Sequence, residues 1–161
     1  MAHTTDVSRS APARVRPWRI CAGSMWILAF LFLLRVLGQA AQHWFAQAWL
    51  PPFAAWQGSS TPYPLLLSVQ LVILGVMAVV SQRAWHGRII ARRNAVQWLS
   101  WLGAAYMILA LARIAVGLSM DAAPPWFRAW ISGVFHIVLA AFLLAFAAYH
   151  YSREPVSEKS Q

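Results

Sequence analysis

The stretch that decides the fold is 20–41, ICAGSMWILAFLFLLRVLGQAA, an unbroken apolar run whose one charged residue is Arg35. A helix rises about 1.5 Å per residue, so a run of this length crosses the roughly 30 Å of hydrocarbon in a bilayer. Three further runs match it, at 64–81, 95–119 and 129–149. They are apolar all round rather than two-faced, the pattern of helices surrounded by lipid and by one another. Prolines mark the limits: Pro51, Pro52, Pro62 and Pro64 bracket the first connection, and Pro124 and Pro125 follow the third run. Proline lacks an amide donor and stops a helix, so these are credible boundaries. The pattern predicts an all-α integral membrane four-helix bundle. Its parts are a basic tail at 1–19, a four-span domain at 20–151 with an aromatic connection at 42–63, and a second tail at 152–161.

Composition agrees. Hydrophobic residues make up 60% of the 161 and charged ones 11%, against about 25% charged in a soluble domain. A water-solvated globule is excluded. The net charge of +9 suggests nucleic acid until the basic residues are placed. Outside the four runs, ten lie in the two tails and the 82–94 connection, among them Arg19, Arg83, Arg88, Arg92, Arg93 and Arg153, and Arg128 is alone on the other side. By the positive-inside rule both termini are cytoplasmic, as an even number of spans requires. The charge is therefore a topology signal that also attracts anionic lipid, and no nucleic-acid partner is expected. Trp18, Trp85 and Trp98 near one set of span ends, and Trp44, Trp49, Trp56, Trp126 and Trp130 near the other, suit the headgroup boundary. Trp26 and Trp101 lie deeper and are expected to pack.

The first run could be read as a cleaved signal peptide, with Gly38-Gln39-Ala40 as its small-residue site. It is longer than the roughly 7–15 apolar residues of such a segment and contains Arg35, so an uncleaved span is preferred. Twelve arginines against one lysine suit a GC-rich bacterial gene, and a bacterial inner membrane is the expected location. The single cysteine, Cys21, excludes an internal disulfide, a paired-thiol redox centre and any cysteine-built metal site. The sequence holds no glycine-rich phosphate loop, no HExxH and no GxSxG.

The informative residues are the polar ones within the runs. Arg35 and Arg113 sit in spans without an acid, and an arginine at the bilayer centre costs about 2.5–3.5 kcal/mol on insertion scales. Counting along alternating helices places Arg35, Gln70, Arg113 and His136 at one depth, about 9–10 Å below the outer boundary. Gln39 and Gln42 share an arc with Arg35. Small residues run beside them: Gly103, Ala110 and Gly117 with Tyr106 and Arg113, and Gly133, Ala140 and Ala147 with His136. Such stripes let helices approach closely and turn the polar residues inward.

Two readings of this layer follow. One is structural: arginines neutralised by carbonyls and glutamines inside a non-enzymatic accessory protein, with a larger membrane complex as a partner. The other is a binding or transport module whose pocket is Arg35, Gln39, Gln70, Arg113 and His136. Two fixed positive charges suit a carboxylate, a phosphate headgroup or a quinone oxygen. The structural reading is preferred on sequence alone. Asp121 weakens the anion case if it pairs with an arginine. The 42–63 connection, 22 residues without a charge, reads first as an anchor on the membrane surface and second as a lid. Two histidine pairs, His43 with His136 and His86 with His150, have the placement of b-haem ligands, but neither shows two histidines per helix; no cofactor is expected. An enzyme ranks third, because His136 has no nucleophile, metal set or carboxylate pair beside it.

Overall fold

The computed structural model describes residues 17–57, 61–88, 92–120, 127 and 129–153. Most of both tails, Asp121, Trp126 and Arg128 lie outside the described residues. The described residues include four long helices and a short one: α1 (Pro17–Phe45), α2 (Phe53–Trp56), α3 (Tyr63–Trp85), α4 (Arg93–Ser119) and α5 (Trp130–Tyr151). α1 begins three residues before the 20–41 run and ends four after it, and its 29 residues span about 43 Å. All four long helices have the length and apolarity to cross a bilayer.

The bundle is open on one flank. α1 packs on α3 and on α5, and α5 packs on α4, while α3 and α4 are at most lightly in contact among the described residues. The core lies along α1 and α5, where Ala22, Met25, Ala29, Phe32, Phe142 and Tyr149 are buried with Met77 and Ala84 of α3. Contact between α4 and α5 depends on small residues. A Cβ on Gly103 would meet Leu143 and Leu144 at 3.2 Å, and one on Gly133 would meet Ile114 at 2.7 Å. Ala110, Ala140 and Ala147 are buried along the same seam, so the small-residue stripes do face inward. Trp26 and Trp101 differ from their expected packing role, being 36% and 73% exposed on α1 and α4.

The two ends are finished differently. α3 closes with Gly87 at φ +67°, and the Gly87 and Arg88 amides donate to the Ala84 and Arg83 carbonyls at 2.9 Å each. This is a Schellman turn, which satisfies helix-end carbonyls through a left-handed residue. Arg153, just beyond α5, donates to the Gly87 carbonyl at 2.6 Å and to the Tyr149 hydroxyl at 2.8 Å. Its guanidinium also lies 5.5 Å from the Trp18 ring. The start of α1 and the ends of α3 and α5 are thereby tied together.

α1 stops at the opposite end with Ala46 at φ 42°, a left-handed position that disfavours a Cβ. Ala46→Gly is expected to stabilise the chain by about 0.5–1 kcal/mol. A rise in melting temperature in detergent reads it out, and an unchanged or lower one contradicts it.

Candidate functional site

Near the α2 end, a cavity of about 240 Å³ is lined by residues from all five helices. α1 contributes Arg35 at 6% exposure, α3 Gln70 at 4% and α4 Arg113 at 5%, with the partly buried His136 from α5. Four of the five residues singled out in the sequence thus surround one space. The fifth, Gln39, stands behind it, fully buried.

Gln39 organises the α1 side. Its Oε1 accepts from Arg35 Nη1 at 2.8 Å and from Gln70 Nε2 at 3.0 Å. Arg35 and Gln39 are four residues apart and so share a helix face, and the second bond joins α1 to α3. Arg35 Nη2 donates to the Trp56 carbonyl at 3.2 Å, and its guanidinium lies 5.4 Å from the Phe135 ring. Every one of these partners is neutral. Arg35 Nε, Gln39 Nε2 and Gln70 Oε1 are buried without a hydrogen-bond partner among the described residues.

On α5, His136 Nδ1 is hydrogen-bonded to the Ser132 carbonyl at 2.5 Å. A carbonyl only accepts, so Nδ1 donates, and in the neutral ring Nε2 is left as the acceptor. Tyr106 of α4 lines the cavity with its ring 5.6 Å from His136.

The 42–63 connection is more than a surface anchor. α2 packs on α1 and α5, and Trp56 is buried and lines the cavity. Its indole N–H donates to the Pro51 carbonyl at 3.0 Å. Its six-membered ring lies over Gly38, where a Cβ would approach to 2.8 Å. Trp44, Phe45 and Trp49 remain more than half exposed, so the same segment also carries the interfacial aromatics. His43 joins a ring cluster, 4.1 Å from Tyr63 and 5.1 Å from Phe53.

The histidines considered as haem ligands have these contacts, and His136 and His150 each use Nδ1 on a backbone carbonyl, which leaves Nε2 uncommitted. His136 is held by Ser132 and Tyr106, and His43 by its own aromatic cluster. His86 interacts with Gln82 and His150 with the Phe146 carbonyl. Among the described residues no three His, Cys, Asp or Glu side chains come together as a metal set.

Sequence reasoning did not find Trp56 or Ser132 as parts of this site. Gly38, one residue before Gln39, was the available signal for Trp56. The i, i+4 spacing of Ser132 and His136 was the signal for the other.

With four long apolar helices in one bundle, the chain is a small multi-pass helical membrane protein. No family model, curated protein or solved structure matches it.

Proposed function

We propose that the protein is a binding module of a bacterial inner membrane, with both termini cytoplasmic and the cavity in the outer half of the bilayer. Its ligand carries an anionic or carbonyl oxygen. The orientation rests on the basic residues, ten of which flank the termini end. The observation that carries the binding reading is Arg35: a buried guanidinium lining a cavity, whose hydrogen-bond acceptors among the described residues are all neutral. A charge so expensive to keep in a membrane is a site by default. Arg35 and Arg113 supply the charge, Gln39 holds Arg35 in place, and His136 Nε2, an acceptor, suits a protonated oxygen of the ligand such as the hydroxyl of a singly ionised phosphate monoester.

A second reading has its own support. Gln39, Gln70, Arg35 and the Trp56 carbonyl form a closed link between α1, α2 and α3, as a purely structural polar layer in an accessory protein would. Purification in native-lipid discs, followed by absorption spectroscopy and mass analysis, separates the two. The binding reading expects one anionic or carbonyl-bearing molecule in near-equimolar amount. A stoichiometric partner protein without such a molecule favours the accessory role, and a Soret band would return haem to consideration.

A further inference from the structure

We infer that the ligand is a membrane-resident amphiphile with an oxyanion head, which reaches Arg35 sideways through the gap between α3 and α4. This deepens the binding reading above and rests on it. The first observation is size. The cavity holds about 240 Å³, below the roughly 300–1,000 Å³ of sites that enclose a whole small ligand. It has room for a phosphate or carboxylate head and a short piece of chain, so a longer tail must lie outside.

The second observation is where the outside is. The α2 end is covered by Trp56, and the α1 to α5 side is closed by direct packing. α3 and α4 both line the cavity yet are at most lightly in contact among the described residues. Val69 of α3 lines it too and is 49% exposed, which places it at the mouth. That mouth opens on the flank of the bundle, and the flank of a membrane-spanning bundle is lipid.

The chemistry changes with depth in the matching sense. Leu66, Val69 and Ile73 line the α3 side, while Arg35 and Arg113 bring guanidinium side chains to the cavity wall. A free aqueous anion would have to shed its water to cross the apolar mouth. An amphiphile leaves its chain in lipid and presents only the head. Guanidinium binds phosphate and carboxylate through paired hydrogen bonds, so Arg35 suits either.

The test titrates the full chain, in neutral maltoside detergent, with dodecyl phosphate. Inorganic phosphate and dodecanol supply the head and the chain separately. Dodecyl phosphate is expected to raise Tm at concentrations where neither fragment does, because a ligand bound only to the native state stabilises it. Val69→Trp, which fills the mouth and leaves the polar network intact, is expected to abolish the rise. Arg35→Gln is expected to weaken the apparent affinity by at least about tenfold. If inorganic phosphate stabilises as strongly and Val69→Trp leaves that effect intact, the amphiphile is overturned while the anion pocket stands. If dodecyl phosphate stabilises Val69→Trp as it does the parent, the route between α3 and α4 is overturned. If no probe raises Tm, both readings fall. Should Arg35→Gln not melt cooperatively, the comparison with Val69→Trp decides.

Discussion

Gln39→Leu is expected to cost about 2–4 kcal/mol of stability in detergent, because it strands a buried charge as well as a buried amide. Gln39 Oε1 is the acceptor for both Arg35 Nη1 and Gln70 Nε2. Interhelical hydrogen bonds in membranes average only about 0.6 kcal/mol each, so two ordinary bonds would account for little more than about 1 kcal/mol. The excess is assigned to the guanidinium, left with the Trp56 carbonyl and the Phe135 ring. The assignment is checked by the double variant Arg35→Leu with Gln39→Leu, which removes the charge together with its acceptor. It is expected to recover more than half of the loss in melting temperature. A single variant that loses no more than the two bonds are worth would mean that Arg35 does not depend on Gln39.

Gly133→Leu is expected to be comparably severe, at about 3 kcal/mol, for a steric reason. The first carbon of any side chain there would stand 2.7 Å from Ile114 Cγ1, and isoleucine, branched at Cβ, has few rotamers to yield with. α4 must then move off α5, the helix that joins it to the rest of the bundle. Gly75→Leu is the control, because a Cβ at that position meets nothing within 4 Å. Its melting temperature should stay at or above that of the parent. Equal losses in the two variants would show that the cost belongs to glycine replacement in general and not to this contact.

The four helices were legible in the sequence because lipid demands long apolar runs and proline interrupts them. The polar layer was legible by counting residues along helices of alternating direction, and the count brought Arg35, Gln70, Arg113 and His136 to one cavity. The open flank was not. The small-residue stripe of α4 marked the face that packs, but α3 is apolar on every side, and nothing in its pattern told that it meets α1 and leaves α4 apart. Trp101 shows the same difficulty: depth along the helix suggested packing, but only the fold could reveal which way the ring points. Trp56 was missed for a different reason. Its role depends on a turn of the 42–63 connection that carries the indole back over Gly38, and an uncharged aromatic segment suits a membrane surface equally well. The proposed orientation of the bundle rests on the distribution of arginines, of which Arg9, Arg14, Arg16 and Arg128 lie outside the described residues.

The binding and structural readings part over one atom. Gln39 Oε1 lies 2.8 Å from Arg35 Nη1, so Gln39→Glu would place a carboxylate where a neutral amide now sits, without a change of shape. The guanidinium would then have an internal counter-ion. The most direct measurement is mass analysis, beside a melting curve, of the parent and of Gln39→Glu purified in native lipid. A binding site is expected to yield a parent that carries an equimolar oxyanion amphiphile, and a variant that melts at or above the parent but has lost it. An amphiphile retained unchanged in Gln39→Glu, or a parent that carries only bulk lipid, would contradict the account.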